Sequence, residues 1–160
     1  IDQLKNFGIV NETTITDVSL NGKLSEVHAA LGLLQLKTID QTLDARNKLD
    51  SFYRKLLADV VGIRCIHRLG LDKDNCSYFP IVISEAYPLS RDEVFQKLKE
   101  HNIFARKYFY PIMTDLSIYQ QYGAYTPKAK LLSEQVLCLP MYPTLSSQEC
   151  VSIVDIIKDF

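Results

Sequence analysis

The chain has 160 residues, the length of one domain or of a small domain with a piece of another. Hydrophobic residues make up 47% and charged residues 23%, which is ordinary for a globular chain. The net charge of −1 provides no basic surplus and no apolar run is long enough to span a bilayer, which argues against nucleic-acid-binding and membrane-spanning classes.

The chain begins with Ile-Asp-Gln-Leu-Lys, which matches neither a signal peptide nor an initiator-methionine context, so we expect it to begin inside a longer gene product. Its four cysteines lie far apart without a CxxC pair, a pattern that predicts reduced thiols in an intracellular protein. Cys65 and His67 are two residues apart, but no second ligand pair follows at the spacing of a zinc site. We therefore expect no metal site.

The first twenty residues predict a short helix end, a turn around Gly8 and an extended segment. Residues 13–20 are rich in β-branched side chains and alternate, so they predict a strand or an extended arm.

A polar turn at Asn21 and Gly22 introduces the most apolar stretch of the chain. Ser25 is a favoured N-cap residue, and Glu26 places an acid in the first helical turn. Residues 27–36 are apolar on nearly every side, which predicts a helix buried all round. We expect this chain to supply only part of the surface that such a helix needs.

Beyond Lys37 the helical pattern changes from fully apolar to amphipathic, with an apolar stripe that continues to Leu57. The pattern predicts one long helix over residues 25–57 that crosses between two environments. Thr38 and Thr42 mark the positions where a kink or break is expected.

From residue 58 onward, short predicted strands alternate with helices. The predicted strands cover residues 63–68, 77–83, 103–108 and 137–140, and the predicted helices follow Ser90, Thr126 and Ser146. Capping boxes introduce the first and last of these helices. Pro80 predicts an edge strand or a bulge, because proline cannot donate to a ladder. This alternation of short strands and helices predicts an α+β unit with a small, mainly antiparallel sheet covered by helices.

Residues 21–36, Asn-Gly-Lys-Leu-Ser-Glu-Val-His-Ala-Ala-Leu-Gly-Leu-Leu-Gln-Leu, resemble the signature of the DegT/DnrJ/EryC1/StrS sugar aminotransferases. That signature is Asn-x-Lys/Arg-Met/Leu-Ser-Glu-x-x-Ala-Ala-x-Gly-x-x-Gln-Leu. Other segments that resemble the family are residues 4–9, 44–46, 137–143 and 145–149, together with Tyr53. The resemblance covers essentially the whole chain and corresponds to the C-terminal part of such an enzyme.

The resemblance implies the small C-terminal domain of a fold-type I aminotransferase. Residues 1–20 would then be a remnant of the large domain that binds pyridoxal phosphate (PLP). Residues 21–57 would form the long interdomain helix, and residues 58–160 the small α+β domain.

Asn21 and Lys23 are the first candidate ligand-binding residues. Taken alone, an Asn-Gly pair is a turn former, and a lysine at this place is most often solvated. In the family the matching asparagine hydrogen-bonds the phosphate of PLP held by the neighbouring subunit, which implies that role for Asn21. A neutral amide donor suits a phosphate. Lys23, one turn on, would add positive charge near a substrate diphosphate.

Residues 108–111, Tyr-Phe-Tyr-Pro, resemble the Tyr-x-x-Pro-Leu-His segment that lines the sugar pocket of the family. The resemblance implies that Tyr108 or Tyr110 contacts the sugar and that Arg106 faces an anionic substrate group. Ile-Met follows here instead of Leu-His, so no role is borrowed from that histidine. The alternative is that the tyrosines pack between domains and the arginine faces solvent.

No catalytic residue is expected in this chain. His28 lies on the apolar helix, where a core histidine is expected rather than a catalyst, and His67 and His101 lie at element ends. A PLP aminotransferase needs a Schiff-base lysine and an acid beside the pyridinium nitrogen. In the family both precede the segment that matches residues 4–9, so we expect the chain alone to be inactive.

The resemblance implies an intact enzyme that moves an amino group from an amino acid, typically glutamate, to a keto-deoxysugar nucleotide through PLP. It would be a cytoplasmic homodimer with no nucleic-acid or membrane partner, working in deoxysugar or surface-polysaccharide (lipopolysaccharide) biosynthesis. Residues 107–111 favour enzymes that make amino-dideoxy sugars on dTDP.

Three alternatives stay open. The family has a sugar dehydratase branch, dependent on PLP or its amino form, in which a histidine replaces the lysine, and that position lies outside this chain. A stand-alone ligand-binding or regulatory module is disfavoured by the apolar helix, which it would expose. A protein-interaction domain without catalytic ancestry is disfavoured by the motif match.

Overall fold

The computed structural model describes residues 1–66, 74–123 and 125–160. The chain divides into two compact units, Ile1–Asp40 and Gln41–Phe160. His67, the end of the strand predicted over residues 63–68 and most of the following loop lie outside the described residues. The assignment of residues 1–20, 21–57 and 58–160 to a large domain, an interdomain helix and a small domain stays a prediction.

The first unit contains two helices and a short hairpin. Its elements are α1 (Asp2–Lys5), β1 (Ile9–Asn11), β2 (Thr14–Ile15) and α2 (Glu26–Leu36). The hairpin strands are antiparallel, with Ile9 opposite Ile15. Gly8 precedes them at φ +70°, a conformation that glycine adopts without steric strain.

Helix α2 starts at the expected N-cap, where the backbone N–H of His28 donates to Ser25 Oγ at 3.4 Å. None of its residues is buried, and Leu31 is 55% exposed, so the described chain does not cover this apolar helix. The expected core position of His28 is wrong for this chain. The ring is exposed, and its Nδ1 lies 2.6 Å from Ser25 Oγ.

The predicted long helix is two helices, because α3 (Ile39–Leu57) begins after an interruption at Lys37 and Thr38. The backbone N–H groups of these two residues donate to carbonyls three residues back, which tightens and ends α2. Thr38 is one of the two expected break points, whereas Thr42 lies inside α3. The boundary between the compact units falls within α3.

The second unit is built on a three-stranded antiparallel sheet in the order β3-β4-β5. Its strands are β3 (Ile63–Cys65), β4 (Phe79–Ile83) and β5 (Val136–Leu139), and its further helices are α4 (Arg91–Glu100), α5 (Pro127–Gln135) and α6 (Ser147–Lys158). One core joins the sheet to α3, α4 and α6 and includes Tyr53, Phe79, Ile81, Leu98, Leu137 and Ile157. The arrangement confirms the predicted α+β class.

The edge position expected from Pro80 is wrong, since β4 is the central strand of the sheet. Pro80 pairs with Cys138 on one side, and its carbonyl accepts from the Ile66 N–H at 3.5 Å on the other. Its nitrogen, which has no hydrogen, therefore faces the side of β3, one residue beyond that strand's last ladder residue, Cys65. A proline is tolerated there because only the fraying end of one ladder loses a donor.

The strand expected over residues 103–108 is reduced to one bridge between Arg106 and Cys138. The two residues exchange both backbone hydrogen bonds, at 2.9 and 2.8 Å. The chain turns directly afterwards, with the Tyr110 N–H donating to the Lys107 carbonyl at 3.0 Å. This turn ends the pairing, so the segment lies against the outer edge of β5 without extending the sheet.

Both predicted capping boxes are present. Ser90 Oγ accepts from the Glu93 N–H at α4, and Ser146 Oγ accepts from the Glu149 N–H at α6, with each glutamate accepting in return. Helix α5 has Pro at its first position, as predicted.

No helix in the described ranges is both long and apolar enough to cross a membrane. Within residues 1–66, 74–123 and 125–160, no group of three or more His, Cys, Asp or Glu side chains is placed to hold a metal ion. None of the four cysteines forms a disulfide.

Candidate functional site

A groove of about 400 Å³ opens in the second unit beside the sheet. Its walls come from three segments: residues 77–78 just before β4, residues 104–108 around the Arg106 bridge to β5, and residues 138–142 at and after the end of β5. The lining residues are Ser77, Tyr78, Phe104, Arg106, Tyr108, Cys138, Leu139, Pro140, Met141 and Tyr142. The groove therefore combines aromatic rings with one cationic side chain.

The groove lies on the side of the sheet opposite the main core. Strand residues alternate between faces, so Val82, Val136 and Cys138 turn away from the core that takes Ile81 and Leu137. These three buried residues form a second small cluster, and Tyr108 packs against it. The sheet thus provides a rigid floor under the aromatic segment.

Arg106 is fixed through its backbone and exposed through its side chain. Its Nη1 donates to the hydroxyl of Tyr108, and its guanidinium carbon lies 5.6 Å from the centroid of that ring. An arginine side chain has five N–H donors, and this is its one side-chain hydrogen bond within the described residues. The remaining donors are available to an anion in the groove.

Tyr108 is held from two directions. Its ring meets Tyr78 edge to face at 5.3 Å between centroids, and it lies 4.9 Å from the centroid of Phe109. Two of the predicted site residues, Arg106 and Tyr108, are therefore brought together.

Tyr110 has a different environment. It does not line the groove, and its ring lies over the buried Arg91, 4.7 Å from the guanidinium carbon. Its predicted contact with a sugar stays a prediction.

Among the groove residues that reasoning from the sequence missed, three are aromatic: Tyr78, Phe104 and Tyr142. Tyr78 is 56% exposed and Phe104 71% exposed, and neither lies in a segment that resembles a motif. Tyr142 lies inside the segment 137–143, which resembles the family, and this resemblance is the one sequence signal that could have identified it. Exposed aromatic side chains beside a cation are the kind of surface that binds ring-containing ligands.

The thiol of Cys138 in the groove is disfavoured as a nucleophile. Burial raises the pKa of Cys138, because the charged thiolate is disfavoured away from water. The groove is thus equipped to bind and orient a ligand rather than to attack it.

Asn21 and Lys23 lie in the first compact unit, Ile1–Asp40. The backbone around Asn21 is anchored on both sides: the Leu20 N–H donates to Leu4 O at 3.1 Å and the Gly22 N–H to Lys5 O at 2.8 Å. The Asn21 side chain is exposed and makes no hydrogen bond to any described residue, so its amide donors are available. An anchored main chain that presents an open amide fits a phosphate group.

Lys23 is exposed, and its Nζ lies 5.5 Å from the centroid of the Phe7 ring. This cation–π contact restrains the ammonium group near the Asn21 turn without neutralising its charge. Lys23 therefore remains able to attract an anion.

The model of the DegT/DnrJ/EryC1/StrS aminotransferase family matches residues 1–158. A Shigella dysenteriae protein named dTDP-4-amino-4,6-dideoxy-D-glucose transaminase is 47% identical over 161 residues, covering 99% of this chain and 44% of the relative. An Escherichia coli protein of the same name is 40% identical over 161 residues, covering 98% of this chain and 43% of the relative.

Among solved structures, that of DesI in the presence of its TDP-sugar product is similar with a TM-score of 0.83 and 28% identity. It covers 98% of this chain and 41% of that chain. The chain thus spans less than half the length of these relatives.

Proposed function

Because the chain belongs to the DegT/DnrJ/EryC1/StrS aminotransferase family, we propose that it is the C-terminal part of an enzyme that transfers an amino group to a keto-deoxysugar nucleotide. Aminotransferases of this family use PLP. The observation that carries the proposal is the 47% identity, over nearly the whole chain, to a relative named for a dTDP-linked amino sugar. The amino donor is an amino acid, typically glutamate.

The groove supports a nucleotide-sugar ligand through its chemistry. The exposed guanidinium of Arg106 suits phosphate oxygens, which arginine binds with paired N–H donors. The rings of Tyr78 and Tyr108 offer flat apolar faces with a polar hydroxyl, which match a sugar or base ring. Both features lie within the same groove, as recognition of one molecule with an anionic and a ring portion requires.

The turn at Asn21 fits the cofactor phosphate. PLP, when bound, supplies the electron sink for amino-group transfer. Asn21 would donate its amide to a phosphate oxygen, and Lys23 would add attraction for the anionic substrate. We place this contact across the interface of a cytoplasmic homodimer, so that each subunit completes the site of the other.

The expected inactivity of the chain alone belongs to the same proposal. The lysine that anchors PLP and the acid beside its ring nitrogen would come from the part of the protein that precedes this chain. This chain would contribute substrate binding and the contact to the cofactor phosphate.

The test uses the full-length protein that contains this chain, with PLP, glutamate and the dTDP-linked 4-keto-6-deoxyglucose. Mass spectrometry should show glutamate-dependent formation of the amino sugar, with 2-oxoglutarate formed in equal amount. The same sugar on GDP is the specificity control. Loss of water from the sugar without amino transfer would favour the dehydratase branch, and absence of both reactions would overturn the proposal.

A further inference from the structure

Arg91, the first residue of α4, is a buried cation with 3% of its surface exposed. Its Nη1 donates to the carbonyls of Ser133 and Val136, at 2.8 and 3.3 Å, where α5 joins β5. Its Nε lies 2.7 Å from Asp92 Oδ1. A buried charge is tolerated when it is paired and hydrogen-bonded. Nη1 makes the hydrogen bonds and Asp92 provides the ion pair, while the buried Nε makes no hydrogen bond to any described residue.

The guanidinium has one more neighbour, the ring of Tyr110, which covers it from the solvent side at 4.7 Å. A cation–π contact is stronger when the cation is removed from water, as it is here. The ring is therefore tethered to the first turn of α4.

A second tether lies three residues earlier. Lys107 Nζ is 2.5 Å from Asp92 Oδ1, the same carboxylate oxygen that neighbours Arg91, and 4.4 Å from the centroid of the Phe95 ring. The hydrogen bond from Lys107, with the charge of Arg91 nearby, holds the pKa of Asp92 below its ordinary range. The carboxylate thus stays ionised and links both cations at neutral pH.

Tyr108 lies between the two tethers and lines the groove with Arg106. We propose that Arg91, supported by Asp92, is a positioning residue that holds residues 107–110 against α4, so that Tyr108 and Arg106 are ordered before a nucleotide sugar binds. This inference rests on the proposed function for the identity of the ligand. A segment that is ordered in advance loses less conformational entropy on binding, which raises affinity.

The consequence is a selective effect on one substrate. Without Arg91, ordering of the segment has to be completed by the nucleotide sugar, whose KM rises. The amino donor carries no nucleotide, so we expect its KM to change much less than that of the nucleotide sugar.

The test compares full-length wild type with Arg91→Met, Tyr110→Leu and the control Arg64→Met, which changes an exposed arginine on β3. Hydrogen exchange followed by mass spectrometry reports the order of residues 106–110. In Arg91→Met, exchange there should accelerate about tenfold, equal to ~1.4 kcal/mol of local opening, with β3 and α6 unchanged. The KM for the keto-sugar nucleotide should rise by a similar factor, with kcat and the KM for glutamate within about twofold of wild type.

Tyr110→Leu removes the ring that packs on the Arg91 guanidinium and leaves the buried cation in place. This variant therefore keeps the test valid if Arg91→Met does not fold. It should accelerate exchange at 107–109 in the same direction. Unchanged exchange at 106–110 in both variants, or equal acceleration throughout the chain, would overturn the positioning role. A wild-type protein that transfers no amino group would overturn the proposed function instead, whatever the exchange data show.

Discussion

The rings of Tyr78 and Tyr108 meet edge to face, with 5.3 Å between their centroids. They come from opposite sides of the groove, one just before β4 and the other just after the bridge to β5. The hydroxyl of Tyr108 also accepts a hydrogen bond from Arg106. The side chain of Tyr108 therefore contacts both Tyr78 and Arg106, the cationic residue of the groove.

Tyr108→Ala in the full-length protein should weaken nucleotide-sugar binding more than Tyr108→Phe does. Alanine removes the ring contact and the partner of Arg106, whereas phenylalanine keeps the ring. We expect KM to rise about tenfold or more for alanine and roughly twofold to fivefold for phenylalanine.

Tyr125→Ala is the control for this measurement, because Tyr125 is 89% exposed and lies outside the groove. Steady-state kinetics with varied nucleotide sugar gives all the KM values. Equal KM values for Tyr108→Ala and wild type would remove Tyr108 from the site.

Asn21→Ala should reduce PLP affinity in the full-length protein. A hydrogen bond to a charged group is worth roughly 1.5–3 kcal/mol, so the dissociation constant should rise about tenfold to a hundredfold. Asn21→Asp keeps the size but replaces donors by a carboxylate facing the phosphate, so its loss should be larger. Titration of the apoprotein with PLP, followed by absorbance, measures both.

Mixed dimers test whether Asn21 acts on the neighbouring subunit. Subunits carrying Asn21→Ala are combined with subunits that lack the PLP-anchoring lysine. If Asn21 acts in trans, each mixed dimer has one intact site and activity recovers above either parent. No recovery, with mixed dimers shown to be present, would assign Asn21 to its own subunit.

Ser146→Ala should lower the stability of α6 and of the second unit that it packs into. The Ser146 hydroxyl accepts from the Glu149 N–H, and loss of an N-cap costs about 1 kcal/mol, which lowers Tm by roughly 2–4 °C. Ser152→Ala is the matched control, because this exposed serine bonds within the helix to Gln148 O. Thermal unfolding by circular dichroism should separate the two, and equal Tm values would show that the cap contributes nothing.

The same cap predicts a pH dependence. Hydrogen bonds from Ser146 hold the pKa of Glu149 below its ordinary range, so the folded state binds this proton more weakly than the unfolded state. The resulting stabilisation is present above the ordinary carboxyl range and is lost as pH falls through the lowered pKa. Urea unfolding from pH 7 to pH 3 should show the stability gap between wild type and Glu149→Gln narrowing, and a gap independent of pH would contradict this.

Leu31→Asp should prevent soluble expression of the full-length protein. Leu31 is 55% exposed here, but the apolar surface of α2 is expected to be covered by the rest of the protein, where an unpaired charge is strongly unfavourable. Gln41→Asp places the same charge on an exposed polar position in the first turn of α3 and should express normally. Normal expression and melting of Leu31→Asp would mean that α2 is not buried.

Much of the local structure followed from the sequence because its causes lie within a few residues. Ser90 and Glu93 exchange hydrogen bonds one helical turn apart, so the capping box is visible as a pattern. The motif over residues 21–36 pointed to the family for the same reason, being one continuous segment.

Strand order was decided by long-range pairing that a local pattern does not record. Pro80 argued for an edge strand, yet β4 is central because β3 and β5 pair on either side and the missing donor falls at a ladder end. Residues 103–108 have the composition of a strand, but the turn after Lys107 leaves a single bridge.

The candidate site also combines residues that a local sequence pattern identified with residues that only the tertiary structure brings in. Arg106 and Tyr108 were predicted from one contiguous segment, and the structure brings them together. Tyr78 joins them only because the sheet and the bridge to β5 bring distant segments side by side. Arg91 reads in the sequence as an ordinary polar residue in the first turn of a helix. Its burial depends on carbonyls from α5 and β5 and on a ring from another loop, partners that only the folded chain assembles.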